Sequence, residues 1–194
     1  MTVREERLEQ PLTRQEKIAL KNKRTGMTLF QISWILVFVC LVVVYVQMRS
    51  GFVVWPPEGI QPVSIVSGLV ASLALFASAW LTWRGLKAAR AGEMHALVQQ
   101  WTIALALGAA FIVIAGAQWA ATPVDNPYGT LFRVLVGYHL VHAVVIGAYM
   151  LSVLFAAWAG ELAQRDLWPA EAAAKLWYFV VIAWVLFFIP LYLL

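Results

Sequence analysis

Charged residues are scarce in this chain: lysine, arginine, aspartate and glutamate together make up 12% of its 194 residues. A soluble globular domain carries about 25% charged residues, whereas 62% of this sequence is hydrophobic. So few charges cannot cover an apolar chain of this size in water. The composition therefore excludes a soluble domain and indicates an integral membrane protein.

Ionisable and sulfur-containing groups are also missing where chemistry would need them. The chain has one cysteine, Cys40, so a disulfide framework is excluded. Its five long apolar blocks contain no Asp, Glu, Lys or Arg, although an ion-coupled carrier or proton channel ordinarily has such a group at membrane depth. The net charge of +4 is explained by membrane topology and anionic lipid headgroups, so no nucleic-acid partner is expected.

The five blocks are each long enough for an α-helix to cross a hydrocarbon core of about 30 Å. The predicted spans comprise residues 27–48, 63–83, 97–121, 134–160 and 176–194. Backbone polar groups in lipid must be bonded within the segment, and no block alternates with the period of two expected of a barrel strand. We therefore predict an all-α fold. It is an integral membrane bundle of five transmembrane helices in one domain, residues 26–194, preceded by a charged cytoplasmic tail, residues 1–25.

Basic residues predict the orientation of this bundle. Twelve of the fourteen lysines and arginines lie in the tail or in the loops after the second and fourth spans, and Arg49 and Arg133 are the exceptions. Because basic loops stay in the cytoplasm, we expect the N-terminus there and Leu194 outside, on the periplasmic side. The first span follows a charged stretch and lacks a small-residue cleavage site behind it, so we expect it to be retained as a signal anchor.

Two histidines, His139 and His142, stand inside the fourth span. An ionisable ring at membrane depth normally faces protein, water or a bound group. A bis-histidine haem needs imidazoles from opposite sides, but these two lie three residues apart on one helical face, and His95 is near the other side of the membrane. A metal site would need further ligands, and no Cys, Asp or Glu lies at matching depth. We therefore interpret the pair as structural, hydrogen-bonded to a neighbouring helix, the backbone or a lipid headgroup, with Gln118 as a candidate partner.

Several short motifs occur in an order typical of one family. Three lie around the fourth span: Gln118-Trp119, Tyr128-Gly129-x-x-Phe132 and Gly137-x-His139-x-x-His142-x-x-x-x-Gly147. Three more lie elsewhere: Gly26-Met27 before the first span, the turn Trp55-Pro56-Pro57, and Leu-Trp-Tyr-Phe-Val-Val-Ile-Ala-Trp at residues 176–184. Together they resemble subunit III of haem–copper respiratory oxidases, in its short five-helix bacterial form. The resemblance covers residues 26–194.

The sequence departs from the family pattern at three positions. Trp34 stands where the family usually has a buried glutamate, Tyr178 where it has histidine, and Val181 where it has aspartate. The intramembrane acids and base of the usual pattern are therefore absent. The departures at Trp34 and Val181 favour a packing role over proton handling.

The resemblance implies a non-catalytic subunit III of a cytochrome c or quinol oxidase, which reduces oxygen to water and translocates protons. The chain would stabilise subunit I and hold phospholipids, in a multi-pass position in the prokaryotic cytoplasmic membrane. No cofactor is expected in this chain, because the haems and copper would belong to subunit I, with copper also in subunit II where cytochrome c is the electron donor. The predicted lipid-contacting or structural residues are His139, His142, Gln118 and Trp55.

Two alternatives remain open at the level of the sequence. The chain could be an accessory subunit of a nitric-oxide reductase, in which case its complex would contain non-haem iron in place of copper. It could also be an independent small membrane carrier or cytochrome, in which case it would fold alone and show transport activity or a haem spectrum.

Overall fold

The computed structural model describes residues 13–162 and 166–194. Within these ranges, all of the long secondary-structure elements are helices. The helices are α1 (Arg14–Arg49), α2 (Ile65–Arg90), α3 (Met94–Ala121), α4 (Pro127–Trp158) and α5 (Trp168–Phe188), which continues as one π-helical turn, Ile189–Leu193. Each of the five is long and apolar enough to cross a membrane, which confirms the predicted all-α bundle. Residues 1–12 of the predicted tail, and Arg165, lie outside the described residues.

Local side chains fix where two of the helices begin. α1 starts with a capping box, in which Thr13 accepts a hydrogen bond from the Glu16 N–H and the Glu16 carboxylate accepts one from the Thr13 N–H at 2.8 Å. Before α4, the Asn126 side chain accepts a hydrogen bond from the Gly129 N–H at 2.7 Å, and Pro127 occupies the first helical position. These short-range signals can be read directly from the sequence.

The helices extend beyond the predicted apolar spans. α2 runs on to Arg90 and is ended by Gly92, whose φ of +87° is a left-handed conformation that glycine adopts readily. α5 begins at Trp168 instead of residue 176. Hydropathy marks the length of helix that lies in hydrocarbon, whereas charged residues continue a helix without difficulty in the headgroup region. Side chains expected in loops, among them Glu171, therefore lie on helices.

α5 occupies the centre of the bundle. It packs against α4, α2 and α1, whereas α2 and α3 form a closely packed antiparallel hairpin and α3 connects this hairpin to α4. α1 packs along one side only, on α5 and, through ring contacts of Phe38, on α4. We call the end of the bundle that holds the starts of α1, α3 and α5 the inner end, and the opposite end the outer end.

Two tryptophans of α5 donate hydrogen bonds to serines of α2. Trp177 Nε1 donates to Ser78 Oγ at 2.9 Å, and Trp184 Nε1 donates to Ser72 Oγ at 2.8 Å. Ser78 donates in turn to the carbonyl of Ala104 in α3 at 2.6 Å, and Ser72 donates to a carbonyl of its own helix at 2.8 Å. Because water does not reach the hydrocarbon core, these bonds satisfy polar atoms that would otherwise be unpaired. They hold α2, α3 and α5 in one register.

Gly108 of α3 allows the Trp177 ring to lie directly against the α3 backbone. A Cβ atom at position 108 would come within 2.6 Å of the Cζ2 atom of that ring. Trp177 is 1% exposed, so its ring has no free space into which it can move. The contact between the Trp177 ring and α3 therefore depends on this glycine.

Candidate functional site

His139 lies in the interior of the bundle, with 0% of its surface exposed. Aromatic rings from three other helices surround it: Phe38 of α1 at 6.3 Å, Phe111 of α3 at 5.7 Å and Trp184 of α5 at 5.4 Å between ring centroids. Neither of its ring nitrogens has a hydrogen-bond partner among the described residues. The hydrogen bond expected of His139 therefore stays a prediction, and the contacts that the described residues make with this ring are those of a packed aromatic side chain.

His142 lies one turn further along α4 and is partly buried. Its Nδ1 atom lies 2.6 Å from the carbonyl oxygen of Tyr138. A carbonyl can only accept, so Nδ1 carries the proton and donates it. The ring also contacts Trp34 at 4.9 Å and Phe38 at 5.2 Å. For His142 the predicted bond to the backbone is confirmed.

Gln118 binds other partners than the histidines. Its Nε2 donates to the Ser64 carbonyl at 2.9 Å, and its Oε1 accepts from the Tyr192 hydroxyl at 2.7 Å. The predicted pairing of Gln118 with the histidines is wrong because α4 begins at Pro127, not at residue 134. His139 therefore lies about 18 Å along α4 from the outer end, which is deeper than a span starting at residue 134 would place it. Gln118 instead connects the start of α2, the end of α3 and the C-terminal π turn.

Trp55 connects the loop after α1 to the outer ends of two helices. Its Nε1 donates to the Tyr45 hydroxyl at 2.9 Å, and its ring meets the Tyr128 ring edge-on at 5.7 Å. The Tyr128 hydroxyl accepts a hydrogen bond from the Val63 N–H at 2.9 Å. This set of contacts holds the loop between α1 and α2 against the start of α4.

The four residues predicted from the sequence thus fall into two groups. His139 and His142 lie together in the interior, and the Phe38 ring contacts both. Trp55 and Gln118 lie at the outer end, in two separate hydrogen-bond networks. The four do not converge on a common site.

The three departures from the family pattern have different surroundings. Trp34 stacks on Phe179 at 4.9 Å, and its ring also touches His142. The buried Tyr178 hydroxyl has no hydrogen-bond partner among the described residues, and Tyr178 lines a groove of about 290 Å³ between α1 and α5. Val181 packs against the hydrophobic core. Two of the positions are therefore occupied by packing contacts.

Glu171 is a buried charge that sequence reasoning missed. Its carboxylate accepts two hydrogen bonds from Arg24 of α1, both at 2.7 Å, and one from Arg90 of α2 at 3.1 Å. The Glu171 side chain is 7% exposed, whereas those of Arg24 and Arg90 are 47% and 57% exposed. Pro169, which is favoured in the first turn of a helix, was the available sign that α5 starts early enough to carry Glu171. The three side chains connect α1, α2 and α5 at the inner end.

Potential metal ligands are dispersed over the described residues. Within residues 13–162 and 166–194, no three His, Cys, Asp or Glu side chains come close enough together to hold a metal ion. His95 is exposed on α3, and Cys40 is exposed on α1. The described geometry provides packing and hydrogen bonding, not a convergent set of reactive groups.

Comparison with known proteins identifies the family. The family model for cytochrome c oxidase subunit III matches residues 7–194. The chain belongs to this family. Similar proteins include cytochrome c oxidase subunit 3 of Synechocystis, 29% identical over 175 residues, which are 87% of this chain and 74% of the relative. The pig (Sus scrofa) subunit 3 is 26% identical over 185 residues, covering 90% of this chain and 70% of the relative. The earthworm (Lumbricus terrestris) subunit 3 is 29% identical over 143 residues, covering 71% and 55%.

The resemblance read from the motifs is thereby confirmed. A subunit III of a haem–copper oxidase agrees with the five apolar helices, and the match does not favour the nitric-oxide reductase subunit or the independent carrier or cytochrome. The chain is a multi-pass protein of a prokaryotic cytoplasmic membrane.

Proposed function

We propose that this subunit III chain is non-catalytic: it stabilises subunit I of a haem–copper oxidase and holds phospholipids beside it. The haems and copper belong to subunit I, with copper in subunit II where cytochrome c is the electron donor. The complex reduces oxygen to water with electrons from cytochrome c or quinol and translocates protons. The observation that carries this proposal is the state of the interior, where aromatic rings surround His139 and every other buried polar residue of the described chain is hydrogen-bonded within the protein.

The buried polar groups support a structural role. The buried polar or charged residues of the described chain are Ser72, Ser78, Thr82, Thr122, His139 and Glu171. All except His139 form hydrogen bonds within the protein. The one carboxylate among them is held by two guanidinium groups at the inner end. A proton path across the bundle needs a chain of free polar groups, and the aromatic rings around His139 interrupt any such chain.

α1 supplies the surface that we propose for bracing subunit I. Only 11% of the residues in its most apolar stretch are buried within the chain. Leu36, Cys40 and Val43 follow one another at helical spacing on the open side of this helix, and all three are exposed. A helix held along one side by its own chain gains further packing from a second helical surface, and van der Waals packing is the main attraction between helices in lipid.

The signature residues divide between packing and lipid contact. His139 is fully enclosed, so we assign it to packing of the interior. His142, Gln118 and Trp55 are partly exposed. We propose that these three residues stabilise the subunit and that their exposed parts contact lipid at its surface. Trp55 lies at the outer end, where tryptophan rings favour the membrane–water interface.

Purification of the complex tests this function. For this test an affinity tag is added to the chain and the complex is isolated in mild detergent. Its partner subunits are then identified and its optical spectrum is recorded. We expect a large multi-helix partner with haem absorbance that stays with that partner when the subunits are separated. Haem that stays with this chain, or purification of a chain with no haem-containing partner, would contradict the proposal.

The native Cys40 provides a test of the bracing surface. A membrane-permeant maleimide should label Cys40 more slowly in the intact complex than after this subunit is released from its partner in detergent. Mass analysis of the separated subunit gives the extent of labelling, and the Cys40→Ala variant should give no labelled subunit. Equal labelling rates in both states would mean that this side of α1 faces lipid and not subunit I.

A further inference from the structure

One exposed side of α2 combines an apolar surface with two cations that sit over tryptophan rings. The α2 stripe consists of Leu73, Phe76, Trp80, Trp83, Arg84 and Lys87. Its members are spaced three or four residues apart, apart from the neighbours Trp83 and Arg84, so they lie on one helical face. All six are exposed, with 54% of Trp80 and 51% of Trp83 accessible. The apolar part of the stripe precedes the charged part, which lies at the inner end.

The two cations are held by the rings and not by acids. The Arg84 guanidinium lies 4.8 Å from the Trp80 ring centroid, and the Lys87 ammonium lies 5.5 Å from the Trp83 ring centroid. Both ion pairs recorded among the described residues use Glu171, with Arg24 and Arg90. The charges of Arg84 and Lys87 are therefore not compensated by any described carboxylate, and no described residue accepts a hydrogen bond from either side chain.

A cation–ring contact at the outer end differs in one informative respect. Arg133 lies 4.3 Å above the Trp119 ring, but the Trp119 indole N–H donates to the Arg133 carbonyl at 2.9 Å. The indole N–H of that pair is therefore already hydrogen-bonded within the protein. No described residue accepts a hydrogen bond from the indole N–H of Trp80 or Trp83, and both rings are half exposed. The α2 stripe thus presents two cations and two indole donors to whatever lies beside it.

We propose that the α2 stripe binds one anionic phospholipid of the cytoplasmic leaflet. The phosphate accepts hydrogen bonds from Arg84 and Lys87, and an acyl chain lies along Phe76 and Leu73. Charge complementarity selects an anionic headgroup, because a phosphate with no accompanying positive charge compensates both cations. Tryptophan at the level of the headgroups fixes the depth of the site. This assignment rests on the proposed lipid-holding function and on the predicted cytoplasmic position of the inner end, and it gives that function a defined site.

Lipid titration of the purified oxidase complex tests the site. Native mass spectrometry measures binding of phosphatidylglycerol and of phosphatidylcholine with the same acyl chains. We expect R84Q/K87Q to weaken the tightest phosphatidylglycerol binding by about tenfold, since each cation near an anionic lipid contributes measurably, and to leave phosphatidylcholine binding unchanged. W80L/W83L keeps both charges but removes the rings, so it should weaken binding of both lipids.

A matched control separates this site from general surface charge. K21Q/K23Q removes two exposed positive charges from the same end of the bundle without touching a tryptophan, and it should bind phosphatidylglycerol like the wild type. Equal losses in the two charge variants, or no loss in R84Q/K87Q, would overturn the assignment while leaving lipid holding elsewhere intact.

A wild-type complex that retains no phospholipid would instead overturn the proposed lipid-holding function. A carbodiimide cross-link from Lys87 to a carboxylate of a partner subunit would show that an acidic protein segment occupies the stripe, which also overturns it.

Discussion

α1 and α5 are both strongly apolar helices, yet they have opposite positions in the fold. Of the residues in their most apolar stretches, 11% are buried in α1 and 44% in α5. α1 exposes branched side chains such as Leu36 and Val43. α5 instead buries Ala172, Ala173 and Ala174 together with tryptophans that donate hydrogen bonds to α2. Hydropathy therefore places a helix in the membrane but does not show whether it faces lipid or protein.

The difference between the two helices follows from how helices attract one another in lipid. Lipid tails are as apolar as leucine, so burying a branched aliphatic side chain between helices brings no hydrophobic gain. Small residues allow close approach, and polar atoms gain partners that lipid does not offer. α5 has both features and forms the centre of the bundle. α1 has few of them and remains at the edge, where a second subunit has access to it.

The largest expected effect comes from adding a side chain where the Trp177 ring of α5 lies against the α3 backbone. Gly108→Ala places a Cβ within 2.6 Å of the buried Trp177 ring and should destabilise the subunit by about 2–3 kcal/mol, as overpacking does in well-packed cores. Denaturant titration of the complex in mixed micelles measures the change. The control is Gly116→Ala on the same helix, where an added Cβ meets nothing within 4 Å. If both variants are equally stable, α5 is not packed as tightly as described.

The same substitution made on each helix tests the comparison directly. Val180 of α5 is 0% exposed, whereas Val43 of α1 is 60% exposed. Val180→Leu should cost about 1–3 kcal/mol because the core has no space for a further methylene, and Val43→Leu should change stability by less than about 0.5 kcal/mol in the separated subunit. Thermal unfolding of the two variants gives the values, and a larger loss for Val43→Leu would reverse the assignment of buried and open sides.

The charged contact at the inner end is expected to contribute less. Glu171→Gln leaves Arg24 and Arg90 without their carboxylate, and we expect a loss of about 1–2 kcal/mol, since both arginines are half exposed and water replaces part of the interaction. The variant should also increase protease access to the start of α1, because this carboxylate connects α1 to α5. Glu93→Gln, which changes an exposed glutamate, serves as the control. Identical proteolysis of the two variants would show that the Glu171 carboxylate does not hold α1 against α5.

The smallest effect is expected from a single indole hydrogen bond. Trp184→Phe keeps an aromatic ring beside His139 but removes the donor to Ser72, and it should cost about 0.6–1 kcal/mol. Trp158→Phe removes an indole that is 76% exposed and should leave stability unchanged. Unfolding free energies in mixed micelles distinguish the two. Equal values would mean that the bond between α5 and α2 adds nothing to their packing.

Some of these features could be predicted from the sequence, and the reasons for the rest are physical. The number and order of the helices follow from apolar runs of membrane length, and the family follows from motifs in a fixed order. The ends of the helices could not be predicted from the apolar runs, because charged residues such as Glu171 continue a helix beyond the hydrocarbon. The seven-residue error at the start of α4 misplaced His139 in depth and led to the wrong partner for it, Gln118.

The sequence also did not predict which side of each apolar helix is buried against the other helices. Phe38 and Val43 lie in the same apolar run, yet Phe38 is fully buried and Val43 is exposed. In an all-apolar segment no polar face marks the outside, so periodicity carries little information. Polar residues inside the membrane-spanning segments do indicate the buried side, because they need hydrogen-bond partners within the protein. Ser72 and Ser78 of α2 both accept hydrogen bonds from α5, so the presence of these two polar residues was the available sign of the buried side.

The central claim is that this chain supports an oxidase without taking part in its chemistry. The most direct test is to deplete the subunit from the purified complex and to measure initial turnover per haem, the haem spectrum and the half-life of activity on one preparation. We expect the spectrum and initial oxygen-reduction rate to stay within about twofold of the intact complex, a difference of about 0.4 kcal/mol in activation free energy, and the half-life to shorten. A loss of haem absorbance, or a fall of the initial rate by orders of magnitude, would contradict the account.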